Sequence, residues 1–399
     1  MKINSINKKF VFLASVIPIV YSVLVLSNWI PLKITGILGP RKFMDLNWVL
    51  VSAQCDQKEA SDIYASFNGD LCTGYIYGKP LINAINLLEI NPALTNMIGI
   101  ALSFLVALSL FLITYFSLAN TNNSKHQKLA IITILISPGF WLLLERGNID
   151  SLILIMIFLA AYAKMYSREK TSIILITITA LFKFYTLPLI YITHHYSRSQ
   201  IRWLAFVSSL LVGAYSVQTV ISIPKFPATW YVSFGSPSLG LYYNLAVEHL
   251  KLPLPLVPNV VAQIVGVAII FGFVFVLLKK ITIQTYSDQE SDRINLKIFN
   301  NLFLFFGSLH SICFVAGMNY DYRLSFASIA LVSLINVIRI KVSSRYFIAA
   351  SVLSMWLSCF NFGLQGFTFV VIQFLGDLLL YPITAYIIAA LIRSKRIRL

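Results

Sequence analysis

Residues 93–118 read ALTNMIGIALSFLVALSLFLITYFSL, 26 positions without a charged side chain. A helix needs about 20 apolar residues to cross a bilayer core of about 30 Å. This run is long enough, and its reading decides that of the chain around it. Eleven further apolar segments accompany it, at 10–30, 129–144, 151–163, 171–182, 184–194, 203–223, 257–278, 298–315, 324–338, 346–361 and 367–392. Over 399 residues, 58% are hydrophobic and 12% charged, and mean hydropathy is +0.79. A soluble chain carries about 25% charged residues, so too few charges remain to coat a soluble body. Disorder, collagen-like repeats, nucleic-acid-binding domains and small disulfide-stapled domains are excluded together. The sequence predicts an all-α polytopic membrane protein with about 12 transmembrane or partly spanning helices. It forms a single integral-membrane domain over 1–399.

The net charge of +16 is explained by its distribution. With the N-terminus in the cytoplasm, the cytoplasmic pieces hold 21 of the 31 Lys and Arg but only four acids. The outer pieces balance ten bases with ten acids. The positive-inside rule accounts for this without a nucleic-acid partner. The tail from Arg393 to Arg398 reads as a cytoplasmic anchor, so both termini are expected in the cytoplasm. One decision carries the downstream topology. Segments 171–182 and 184–194 are short and separated by Lys183. Read as one crossing, they place 13 of the later Lys and Arg outside and three inside. Read as two, they give the reverse, and two crossings are expected. Residues 10–30 follow Lys2, Lys8 and Lys9, are too long for a signal-peptide core and lack a small-x-small cleavage site. They read as an uncleaved signal anchor.

Two long outer loops are expected, at 31–92 and 224–256. Cys55 and Cys72 share the first and form a candidate disulfide if that loop faces an oxidising compartment; free thiols are the alternative. Cys313 and Cys359 read as core thiols. Leu81–Ile90 has the apolar spacing of a short helix lying on the membrane surface. Segments 129–144 and 151–163 rise about 24 Å and about 20 Å as helices. Their shared tip, Glu145-Arg-Gly-Asn-Ile-Asp150, should therefore lie below the outer surface. Charged, irregular backbone is tolerated there only inside protein or against a watery cavity.

Several residues are candidates for chemistry, each beside a plainer reading. Asp45, in Phe43-Met-Asp-Leu-Asn-Trp48, is either a helix cap or a carboxylate base at the membrane surface. Glu145, Arg146, Asn148 and Asp150 either line a polar cavity or form a tight turn, with Arg146 paired to Glu145 or Asp150. Lys183 and Arg323, the latter beside Tyr320 and Asp321, either hold a phosphate or snorkel and pair locally. His310 reads as a satisfied core residue or a further cavity member. Asp377 lies alone in the last segment, hydrogen-bonding a neighbouring helix or carrying a proton. No Cys or His spacing predicts a structural metal.

The first loop carries Met44-Asp45-Leu46, Cys55-Asp56, Asp62-Ile63-Tyr64 and Tyr75-Ile-Tyr77-Gly-Lys-Pro80. Gly147-Asn148-Ile149-Asp150, Lys183-Phe-Tyr185-Thr-Leu-Pro188 and Tyr320-Asp321-Tyr322-Arg323 follow. In order and spacing over about residues 10–195, these resemble the GT-C superfamily of polytopic glycosyltransferases. The resemblance is to the polyprenol-phosphate-mannose-dependent mannosyltransferase-like branch (family 87-like). The second half of the chain matches in topology and in the Tyr320–Arg323 stretch. Ser61 stands where Gly is usual, and Asn148 and Asp150 replace the commoner Gln and Asn.

The resemblance implies an inverting transferase moving a mannose-like hexose or a pentose from a polyprenyl-phosphate donor to a glycan, lipid or protein acceptor. Asp45 would be the catalytic base at the periplasmic or luminal face. Arg146, Lys183 and Arg323 would hold the donor phosphate, and Tyr185 would join the cavity. No cofactor is implied, although some relatives use a divalent metal. The membrane would be a bacterial inner membrane, or the ER membrane in a eukaryote. A multi-pass transporter or lipid flippase is the alternative, and a non-catalytic assembly partner a third reading.

Overall fold

The computed structural model describes residues 43–58, 63, 72, 75, 77–119, 123–194, 199–222, 233–280, 290–316, 319–320, 323–337, 343–358 and 367–398. The expected anchor at 10–30, Cys359 and Asp321 lie outside these. The described chain is mainly helical, with one antiparallel pairing of two-residue strands. Among the described residues, five stretches are long and apolar enough to cross a membrane: Pro92–Leu118, Lys125–Arg146, Asn259–Lys279, Leu296–Ala316 and Val370–Arg393. The chain thus has the fold of an α-helical integral membrane protein, and it divides into two compact units.

The first unit comprises Gly39–Ser109 and Leu143–Pro227. It holds α1 (Met44–Gln57), α2 (Lys79–Leu87) and the start of α3 (Thr95–Ala119), which a 3-10 turn at Pro92–Leu94 introduces. The end of α5 (Pro138–Arg146) follows, then α6 (Asp150–Met165), α7 (Glu169–Phe182), α8 (Pro188–Thr193) and α9 (Ser199–Ser222). α7 packs against α2, α6, α8 and α9. It does so because Ile173, Ile176 and Ala180 recur at helical spacing and bury one stripe. Ser167, with φ 61, turns the chain between α6 and α7. α3 shows the membrane pattern most directly. Its 25 residues rise about 37 Å, with Met97, Ile100, Phe104 and Leu108 exposed along one side. Its hydroxyls are satisfied internally: Ser103 and Thr114 donate to the carbonyls of Gly99 and Leu110 at 2.8 and 2.7 Å.

The second unit takes in the described residues within 110–142 and those from Ser233 onward. It holds α4 (Lys125–Leu135), α10 (Ser238–His249), α11 (Asn259–Lys280), α12 (Glu290–Leu302) and a π-helical turn at Phe303–Gly307. α13 (Ser308–Ala316), α14 (Leu324–Val337), α15 (Ser343–Leu357) and α16 (Phe367–Arg398) complete it. Strands β1 (Ser233–Phe234) and β2 (Asn319–Tyr320) pair Ser233 with Tyr320 and Phe234 with Asn319. α14 is buried from Leu324 to Asn336 and forms the core, touching α4, α12, α13, α15 and α16. A helix apolar all round belongs in an interior. Asn336 secures its end by accepting from Asn123 at 2.7 Å. α15 and α16 approach closely at Gly376, where a Cβ would stand 2.3 Å from the Ser358 amide nitrogen.

Several expectations need correction. The first outer loop is not loop throughout. The helix that a capping Asp45 implies is α1, and its length was not legible because its buried residues include Asp45, Ser52 and Cys55 beside Leu46, Val49 and Leu50, so no clean apolar stripe is written in it. The surface helix expected at 81–90 is α2, shifted to Lys79–Leu87 and closed by Glu89 at φ 50. The second outer loop contains α10. The segment expected at 129–144 belongs to a longer helical run, Lys125–Arg146, interrupted only at Ile136–Ser137 ahead of Pro138. Glu145 and Arg146 therefore close a helix, and only Gly147–Ile149 is irregular. The break at Lys183 falls where the sequence puts it. Residues 184–193, however, form a 3-10 turn and a six-residue helix, rising about 15 Å and too short to cross alone.

Candidate functional site

The first unit gathers a buried polar network from four separate stretches of chain. Its placement begins at Phe43. This residue adopts left-handed backbone (φ 55, ψ 35) at the start of α1, and its N–H donates to the Glu145 carbonyl at 2.8 Å. Its buried ring fills the space left by two glycines. A Cβ on Gly99 would meet it at 2.4 Å, and one on Gly147 at 2.9 Å. Gly147, at φ 58, also supplies the left-handed residue that ends α5. Phe43 thereby fastens the first turn of α1 to the α5–α6 junction, and Asp45 is carried to Arg146 and Asn148.

A second clamp sits at Gly78. Its N–H donates to the Phe182 carbonyl at 3.1 Å, and a Cβ there would lie 2.2 Å from the Leu181 carbonyl oxygen. That approach brings Tyr77 beside Lys183, whose Nζ lies 4.6 Å from the ring centroid. Lys183 itself is in extended conformation (φ −144, ψ 106), where α7 stops. Lys79 is ion-paired with Asp56. Cys55 and Cys72 are joined as a disulfide with Cα atoms 5.7 Å apart.

Between the clamps the network is continuous. Arg146 donates to Asp45 Oδ1 through Nε at 2.9 Å and Nη2 at 2.5 Å. Asn148 Nδ2 donates to Asp45 Oδ2 at 2.6 Å and lies 3.4 Å from the Tyr77 hydroxyl. Asn148 Oδ1 accepts from the Asp150 amide at 2.9 Å, fixing the start of α6, and from Lys183 Nζ at 3.3 Å. Asp150 Oδ1 accepts from Lys183 Nζ at 2.8 Å and from the Tyr185 hydroxyl at 2.5 Å. Asp45 and Asp150 both lie in the first turn of a helix, where the macrodipole favours an acid.

Two carboxylates and two cations alternate along this path, so every buried charge has an opposite neighbour, as burial demands. The network has a closed and an open end. Asp150 is fully buried and the Lys183 side chain 6% exposed, whereas the Arg146 side chain is 25% exposed. Asn148 joins both ion pairs. Arg146 pairs with Asp45, 101 positions away, a partner that local spacing did not offer. Glu145 contributes its backbone carbonyl. The open end thus presents a guanidinium, suited to a phosphate oxyanion, directly on a carboxylate. Each carboxylate carries a cation on its Oδ1. Among the described residues no group of three or more His, Cys, Asp or Glu gathers to hold a metal ion.

The remaining candidates belong to the second unit. His310 is fully buried, with Nε2 2.9 Å from the Thr384 hydroxyl. Tyr320 forms part of β2, and Arg323 leads into α14, half-buried. Asp377 is buried in α16, and its Oδ2 accepts from the Tyr242 hydroxyl of α10 at 2.8 Å. Sequence reasoning passed over Tyr77, Phe43 and Gly78 as site-building residues. Tyr77 and Gly78 lie within the quoted Tyr75–Pro80 stretch. Gly147 beside the charged tip was the one signal that a left-handed turn was needed there.

No family model fits the chain, and neither a curated protein nor a solved structure matches it.

Proposed function

We propose that the protein is a membrane glycosyltransferase of GT-C type that transfers a sugar from a polyprenyl-phosphate donor on the periplasmic or luminal face. The observation that carries this reading is the convergence of Asp45, Arg146, Asn148, Asp150, Lys183 and Tyr185, from separate segments, into one charge-balanced network with Arg146 at its exposed end. The shorter helices would act as partly spanning hairpins beside the full crossings, giving the twelve-segment arrangement. The Cys55–Cys72 disulfide supports an oxidising compartment for the α1–α2 region, hence the outer face of a bacterial inner membrane or of the ER.

In this reading the donor phosphate draws Arg146 away from Asp45. Asp45 Oδ1 then faces the acceptor hydroxyl. The acceptor oxygen attacks the anomeric carbon, and Asp45 takes its proton. The bond from the anomeric carbon to the phosphate oxygen breaks on the opposite face, inverting the centre. Polyprenyl phosphate leaves with its charge held by Arg146, and Asp45 returns the proton to water. Asn148 orients Asp45, while the Asp150–Lys183–Tyr185 cluster fixes Asn148.

Binding of polyprenyl phosphate to the purified protein tests the recognition step. Loss of a hydrogen bond to a charged group corresponds to about tenfold to a hundredfold in affinity, the loss expected for Arg146→Gln. Uncharged polyprenol should bind weakly and equally to both proteins. Equal binding of the phosphate by wild type and variant would sink the assignment of Arg146. Buried Asp377 with Tyr242 favours one second reading, proton-linked transport. Substrate uptake into vesicles abolished by Asp377→Asn would support it.

A further inference from the structure

Away from the network, α4 and α15 lie side by side in the second unit, and a cleft of about 840 Å³ runs between them. Its polar mouth holds His126 and Arg345, each in the first turn of its helix. Its walls are apolar, formed by Leu129, Ile348, Val352 and Leu353. Two of these face outward strongly, Leu129 at 63% exposed and Leu353 at 52%. Neither helix contains an acid, and among the described residues none is paired with Arg345. Both helices start at this mouth, so their positive ends add to the charge there.

We propose that this cleft is a binding site for an anionic phospholipid, with its phosphate against Arg345 and His126 and an acyl chain along the apolar walls. The separation of charge from hydrocarbon selects this occupant. From Arg345 to Leu353 the helix rises about 12 Å, and basic character stands at one end of that length only. A soluble phosphate leaves the exposed leucines uncovered. A zwitterionic lipid covers them but supplies no net charge to Arg345. The mouth lies on the side that the distribution of Lys and Arg assigns to the cytoplasm, where anionic headgroups attract basic residues between spans. The inference does not depend on the glycosyltransferase reading.

Native mass spectrometry of the full-length protein, released from detergent with equimolar phosphatidylglycerol and phosphatidylcholine of matched chains, tests it. Wild type should retain one phosphatidylglycerol in preference to phosphatidylcholine. One basic residue at a membrane surface corresponds to about a fivefold effect. Arg345→Gln should lose about that much of the preference, and Arg345→Glu should abolish it. Ala349→Trp, which fills the cleft from an exposed position, should displace both lipids. A melting curve for each variant establishes that it is folded. Equal retention of both lipids by wild type would overturn the proposal, as would undiminished retention in Arg345→Glu or Ala349→Trp. Displacement by soluble glycerol phosphate alone would also overturn it, because the apolar walls would then play no part.

Discussion

Replacing Lys183 with Met removes one charge from the most deeply buried ion pair of the network. Asp150 is fully buried, Lys183 6% exposed, and their atoms are 2.8 Å apart. At an effective dielectric constant of about 20 their attraction is about 6 kcal/mol, much of it spent against desolvation. After the substitution, Asp150 keeps the Tyr185 hydroxyl and the N-terminal end of α6, the latter worth about 0.3–1 kcal/mol. That is too little to hold a buried carboxylate, so Lys183→Met should cost about 3–5 kcal/mol. Asp150→Asn should cost less. It leaves the ammonium with Asn148 and the face of Tyr77, a cation–π contact worth up to about 2 kcal/mol. Removing both partners should cost less than the sum of the single changes by about 2–3 kcal/mol. Unfolding of the four proteins in mixed micelles by titrated dodecyl sulfate gives these differences. Additive single effects of under about 1 kcal/mol would mean that the pair is solvated, and the description of a closed end would be wrong.

Other perturbations address the clamps and the open end. Gly147→Ala places a side chain on left-handed backbone, at about 1–2 kcal/mol. Its Cβ also meets the Phe43 ring at 2.9 Å, so a lowered melting temperature is expected, and an unchanged one would remove Phe43 as the fastening of α1. Cys55→Ser opens a loop of sequence separation 17 and should cost about 3 kcal/mol, with wild type losing the same amount under reductant; equal melts with and without reductant would contradict the bond. Arg146→Lys keeps the charge but loses the fork of donors. Donor binding should therefore fall between wild type and Arg146→Gln, and a Lys variant equal to wild type would show that charge alone suffices.

The membrane character was legible because apolar runs such as 93–118 carry their own length scale. The lengths of the shorter segments were less legible, because hydropathy does not mark where a helix begins and ends. α14, read at 324–338, is a 14-residue helix buried along its length. The site residues were legible for a related reason. Asp45, Arg146, Asn148, Asp150 and Lys183 are polar groups at the ends of apolar segments, where they are costly without a purpose. Their pairing was hidden. Local spacing pointed Arg146 at Glu145 or Asp150, and its partner Asp45 arrives through the contact of Phe43 with Gly99 and Gly147. Such packing leaves no periodic trace. The length of α1 was hidden by its buried Asp45, Ser52 and Cys55, the same polar residues that make its first turn useful.

The central claim is that Asp45 is the base of a lipid-linked sugar transfer. Release of polyprenyl phosphate from a panel of polyprenyl-phosphate sugars, with a membrane glycan and lipid acceptor pool, measures it most directly. Wild type should release lipid phosphate with one donor, and Asp45→Asn, equally folded, should be slower by about a hundredfold to ten-thousandfold. Release undiminished in Asp45→Asn would contradict the account.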